Sequence, residues 1–234
     1  MSWCSWRLGD SAILSINVMR QIPLDISPPA PPTLDNFVVG RNAQLLDLLR
    51  NVTHGRCREH FITLWGAPGS GRSHLLHALA NGAPIKPGLI QQVDATLTLA
   101  HHVTALDAAG QQTLFNRYNE IRSLGQGILI VSADNAPLHL TLREDLRTRL
   151  GWGLVFEVIG LSDEEKSAAL YNQARARGLQ LAGDVVPWLL THTQRDMPAL
   201  MALLDALDKY SLEKKRAVTL PLVRELLHSE KQKN

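Results

Sequence analysis

The chain has 234 residues, 45% of them hydrophobic and 20% charged, which is enough apolar material for a packed core and too much length for one small domain. Lys+Arg 24 against Asp+Glu 22 gives a net charge of +2, so charge alone makes no case for avid nucleic-acid binding. Neither cysteine, Cys4 or Cys57, lies in a C-x-x-C pair; no apolar run reaches the about 18 residues of a membrane span, and residues 1–18 make a poor secretory signal, so a soluble cytoplasmic protein is expected.

Met19 opens a stretch that reads as a natural start, and residues 1–18 are expected to be either disordered or an artefact of start-site choice. Residues 27–33, SPPAPPT, hold four prolines in seven positions, which favours an extended polyproline tether of roughly 20 Å. A helix is predicted over 42–50, with Leu45, Leu46, Leu48 and Leu49 as its apolar positions. FITLW (61–65) reads as a strand running into a Gly-rich loop, and 73–80 as the helix after it. Strands follow at 89–93 and 97–103. A helix at 107–124 carries Leu114, Phe115, Tyr118 and Ile121 on one face, and two more strands follow at 127–133 and 154–158. Strands alternating with helices predict a five-stranded parallel sheet with helices on both faces. After Gly160 the pattern is helical only. Ser162 and Glu165 make a capping box, Gly178 stops that helix, and further helices fit 183–193, 197–212 and 220–228. The expected layout is a tail over 1–35, an α/β nucleotide-binding domain over 36–160 and a helical lid over 161–234, with no internal repeat.

GAPGSGRS (66–73) fits the phosphate-loop pattern G-x-x-x-x-G-K-[ST] with one substitution, Arg72 in place of lysine. Glycines allow backbone N–H groups to turn onto phosphate oxygens, and the helix that begins there adds its dipole. The candidate phosphate ligands are Gly66, Pro68, Gly69, Ser70, Gly71, Arg72, Ser73 and His74. Ser73 would place its hydroxyl on Mg²⁺, and Arg72 keeps the positive charge as a planar fork. Hydrolysis also needs acidic residues at the end of a second strand. There the chain has His101 and His102, whose imidazoles do not replace anionic oxygen ligands for magnesium. Asp94 and Asp107 lie nearby but outside that register. Adjacent strand residues point to opposite faces, so one histidine is expected to be packed and the other solvent-facing, with no protein metal site.

TLDNFVVGRNAQLLDLL, LWGAPGSGRSHLLHAL, LTLREDLRTRLGWGLVFEV and LLTHTQRDMPALMALLDALD together resemble the DnaA-related AAA+ proteins, and among them the Hda family of regulatory inactivators of DnaA. The likeness runs from about residue 20 to the end. It implies an AAA+ phosphate-loop core with a C-terminal helical lid. It implies adenine contacts at Val38, Val39 and Gly40, and bound ADP or ATP, with ADP favoured. Arg149 matches the arginine finger, with Arg143 and Arg147 as neighbours on its helix, and Arg195 matches the lid arginine that reaches back to the phosphates. The polar residue at the end of the fourth strand is either Asn135 or Asp134.

QIPLDI (21–26) resembles the peptide by which replication proteins dock on the DNA polymerase sliding clamp, its beta subunit. Gln21 would supply amide hydrogen bonds, and Leu24 and Ile26 the apolar anchors. The implied function is a nucleotide-bound, nucleoid-associated adaptor. It would sit on a DNA-loaded clamp, meet DNA only through it, present Arg149 to ATP held by DnaA and prevent re-initiation; a homo-oligomer is compatible with this. The alternative is an AAA+ ATPase acting as initiator or helicase loader. Against it stand the two histidines and the expectation that an initiator continues into a DNA-binding domain beyond the lobe.

Overall fold

The computed structural model describes residues 31–231, so the QIPLDI segment, with Gln21, Leu24 and Ile26, lies outside the described residues. The strands are β1 (Phe61–Trp65), β2 (Leu89–Gln92), β3 (Leu97–His101), β4 (Ile128–Ala133) and β5 (Leu154–Glu157). They form one sheet in the order β2-β3-β4-β1-β5. The pairings β3–β4, β4–β1 and β1–β5 are parallel, whereas β2 runs antiparallel to β3, so the sheet is mixed rather than wholly parallel. The cause is a tight turn. The Asp94 carboxylate accepts from the N–H of Thr96 at 2.6 Å and of Leu97 at 2.8 Å, closing the chain into a hairpin. Those bonds hold the Asp94 carboxyl below its usual range, with the Thr96 backbone N–H as the main cause.

Helices cover both faces of the sheet. On one side α1 (Ala43–Thr53) and α2 (Arg72–Leu79) bring Leu45, Leu49, Leu75 and Leu76 against Ile62, Leu64, Leu99 and Ile130. On the other, α3 (Ala108–Leu124) and α4 (Glu144–Leu150) bring Leu114, Tyr118, Ile121 and Leu146 against Leu129 and Val131. Alternate residues of β4 therefore feed opposite cores, which is the period-two geometry of a strand covered on both faces. Asp107, outside the magnesium register, caps α3 by accepting from the Gly110 N–H at 2.7 Å.

A third core is built mainly from helices, with Val218, in the connection between the last two of them, added to it. It joins α5 (Asp163–Ala176), α6 (Val185–His192), α7 (Met197–Lys214) and α8 (Leu220–Lys231) around Leu170, Leu189, Leu203, Leu204, Leu222 and Val223. Burying each such leucine contributes roughly 1.5–3 kcal/mol. The start of α5 is fixed by the expected capping box. Ser162 Oγ accepts from the Glu165 N–H at 3.2 Å, and Glu165 Oε2 from the Ser162 N–H at 2.8 Å. Among the described residues no helix is long and apolar enough to cross a membrane.

Candidate functional site: a phosphate loop facing two strand ends

The loop between β1 and α2 leaves Ala67, Pro68 and Gly69 exposed and buries Gly66 and Ser70. Two glycines are required by their neighbours. A Cβ at Gly66 would lie 2.5 Å from the Val158 carbonyl oxygen at the end of β5. Gly71 has φ +103, and a Cβ there would lie 2.7 Å from Phe37 Cε2. Beneath the loop, the buried Ser70 hydroxyl has no hydrogen-bond partner among the described residues. A buried polar atom of this kind costs about 1–3 kcal/mol, and it lies in a loop that leads directly into a helix N-terminus. This set of donors suits an anionic phosphate.

The base side of the loop is built by the segment before α1. Phe37 packs on Gly71 and, at 5.5 Å between ring centroids, on His74. The His74 Nε2 meets the Thr33 carbonyl at 2.9 Å, and burial holds its pKa below the usual histidine value. Val38 and Val39 are half-buried and Gly40 is exposed, and a Cβ on Gly40 would meet Leu161 at 2.6 Å. Asn42, 4% exposed, donates to the carbonyls of Val39 at 3.2 Å and Ile159 at 2.8 Å and accepts from the Ile159 N–H at 2.8 Å. Phe37 and Asn42 escaped the sequence reading, although both lie in the stretch that carried the family resemblance.

Facing the loop are the ends of β3 and β4. His101 is packed: its Nε2 lies 2.9 Å from Ser73 Oγ and its Nδ1 2.8 Å from the Ile85 carbonyl oxygen. Burial first, then His77, His102 and Arg72, pushes its pKa down. His102 leaves the strand with φ +53 and turns onto Asp134, 3.2 Å away, rather than into solvent. Arg72 also turns to β4. It donates to the Ala133 carbonyl and pairs with Asp134 at 2.8 Å. Thr104 completes the cluster by donating to Asp134 at 3.3 Å. The two candidates at this strand end are thus set apart by their surroundings: Asp134 is engaged with three side chains, while Asn135 is exposed. Ser73, expected to reach for magnesium, hydrogen-bonds to His101, an imidazole at the place where a magnesium site would have an anionic oxygen.

Arg149 lies elsewhere, at the end of α4. Its guanidinium sits 4.0 Å above the Phe115 ring and donates to Asn119. With Arg143, Glu144, Asp145, Thr148 and Trp152 it lines an open cleft. Trp152 is 59% exposed, and Arg122 lies 5.4 Å from its ring. Arg195, just before α7, is exposed and approaches Asp163 of α5 at 3.7 Å.

A sheet ordered β2-β3-β4-β1-β5, with a phosphate loop leaving β1 and a helical lid after β5, defines an AAA+ module. Solved structures agree: domain III of the Thermotoga maritima replication initiation protein DnaA matches with a TM-score of 0.64 at 20% identity, over 87% of this chain and 98% of that one. The Thermotoga maritima RuvB branch-migration motor matches at 0.60 and 16% identity, over 85% and 72%. The family model described as Hda, lid domain, matches residues 163–227. An uncharacterized protein of Haemophilus influenzae is 33% identical over 229 residues, 89% of this chain and 99% of its own length. The chain belongs to the Hda family of DnaA-related AAA+ proteins.

Proposed function

We propose that the chain is a nucleotide-bound regulator of replication initiation that stimulates hydrolysis of ATP held by DnaA. The observation that carries this reading is the separation of two arginines. Arg72, in the chain's own phosphate loop, is matched with a carboxylate; Arg149 is held at the end of α4 by an aromatic face and an amide. A guanidinium so held keeps its charge for another molecule's phosphates, and an arginine finger supplied in trans is worth roughly 10³–10⁵ in rate. DnaA structures bound to the nucleotide analogue AMPPCP share the fold, which supports a nucleotide at Gly66–His74 with the base against Val38–Gly40. ADP is the nucleotide this reading favours. Gln21, Leu24 and Ile26 dock on the sliding clamp, and the proline tether holds the core near its target, raising its local concentration there.

The test is hydrolysis of radiolabelled ATP preloaded on DnaA, with this chain present, with and without clamp loaded on DNA. Clamp-dependent loss of ATP is expected. Unchanged DnaA-bound ATP, with clamp binding intact, refutes the regulator.

A further inference from the structure

In phosphate-loop proteins a divalent cation is held between the loop Ser or Thr and an acidic side chain on a neighbouring strand. Here the corresponding corner is filled by His101, 7% exposed at the end of β3. A carbonyl can only accept, so the His101 Nδ1 facing the Ile85 oxygen at 2.8 Å carries the proton. The Nε2 is then a lone pair, and the Ser73 hydroxyl, 2.9 Å away, must donate to it. That bond uses the imidazole lone pair and leaves Ser73 with its oxygen lone pairs but with a neutral imidazole, not an anionic oxygen, as its neighbour. The His77 ring packs edge-on against His101 at 5.5 Å and meets the same Ile85 oxygen at 3.2 Å, which holds the imidazole in place.

The carboxylate at this corner is committed too. Asp134 takes Arg72 at 2.8 Å on one oxygen, and His102 at 3.2 Å and Thr104 at 3.3 Å on the other. Magnesium demands near-octahedral oxygen ligands, whereas imidazole suits softer metals. Among the described residues no group of three or more His, Cys, Asp or Glu is placed to hold a metal ion. The donor set therefore does not fit the ion that the fold ordinarily uses.

We infer that His101, bonded to Ser73, takes the place of the acidic ligand a divalent cation needs, so that this chain holds a nucleoside diphosphate without magnesium. The inference rests on the nucleotide reading above and adds to it the form of the ligand. Without a metal, the countercharge comes from the loop N–H groups and the N-terminus of α2. Those suffice more readily for a diphosphate than for a triphosphate, whose further negative charge is what the metal ordinarily offsets.

The experiment is a fluorescence titration of the full chain with mant-ADP, once in Mg²⁺ and once in EDTA. The affinity is expected to agree between the two within about twofold. A loss of about tenfold or more in EDTA overturns the inference while leaving the nucleotide reading intact. Absence of mant-ADP binding in both buffers overturns the nucleotide reading and this inference with it. His101→Asp restores an acidic ligand, and its affinity is expected to fall about tenfold or more when Mg²⁺ is removed. A folded His101→Asp chain that binds mant-ADP and ignores EDTA overturns the role given to His101. Should that variant fail to fold, the wild-type chain still decides. Its ADP complex should leave the spectrum of free Mn²⁺ undiminished in an electron-spin-resonance titration, and stoichiometric uptake of Mn²⁺ overturns the inference.

Discussion

The phosphate loop and the α4 face each present an arginine held by its own chain, and the holding groups differ in kind. Arg72, its side chain 10% exposed, meets a carboxylate and a backbone carbonyl. Arg149 meets an aromatic ring and, through Asn119, a neutral amide. A carboxylate cancels a charge, while a ring face and an amide orient a guanidinium and leave the charge intact. Position in the fold therefore matters less than the partner: one arginine is paired with a carboxylate and the other with uncharged groups.

The largest effect should come from removing the Arg149 charge. Arg149→Ala is expected to lower stimulated hydrolysis of DnaA-bound ATP by about 10³-fold or more, with mant-ADP binding unchanged. Retained stimulation by that variant breaks the comparison. Next comes the loop backbone. Gly71→Ala forces φ +103 on a residue with a Cβ and drives that atom to 2.7 Å from Phe37. Urea denaturation should show a loss of about 2 kcal/mol, together with weaker mant-ADP binding; equal stability would mean that Phe37 moves aside freely.

Asp134→Asn removes the charge that neutralises Arg72. Mant-ADP should then bind tighter by about 1 kcal/mol, about fivefold, with no change in Arg149-dependent stimulation. Weaker binding would assign Asp134 a positive role at the phosphates.

A smaller effect should be seen with pH. The folded-state pKa of His101 lies below the ordinary 6.5, chiefly through burial. The unfolded chain therefore binds more protons as pH falls beneath 6.5, and the histidine's contribution, fully present above that value, is lost on acidification. Wild-type Tm should drop over this window more than that of His101→Gln; parallel curves would exclude His101 as the source. The smallest change belongs to Asp163→Asn, whose exposed pairing with Arg195 spans 3.7 Å. Stability should stay within about 0.5 kcal/mol of wild type, measured by chemical denaturation.

Local features were the legible ones. FITLW is β1 residue for residue, the Ser162–Glu165 box opens α5, and the glycine loop stands between its strand and helix, because each depends on neighbours a few positions apart. The antiparallel edge follows from chain length rather than from strand period: the expected strands 89–93 and 97–103 are three residues apart, too few for a parallel crossover, and the Asp94 turn closes the gap. The corner of the site was harder still. Ser73 and His101 are 28 positions apart, and Arg72 and Asp134 are 62 apart, so their contacts exist only once β3 and β4 pair in register. The resemblance pointed to Arg149, yet nothing in it named Phe115 as the surface on which that arginine rests.

One buried amide has a kinetic consequence. Asn42 stitches the Val39 carbonyl to both polar groups of the Ile159 backbone, and Gly40 beside it abuts Leu161, just ahead of the first lid helix. The segment before α1 and the strand-to-lid connection therefore cannot separate without breaking these bonds together. For a ligand seated beneath both, departure becomes a single concerted opening rather than the lifting of one flap, and Asn42 acts on dwell time more than on the rate of arrival.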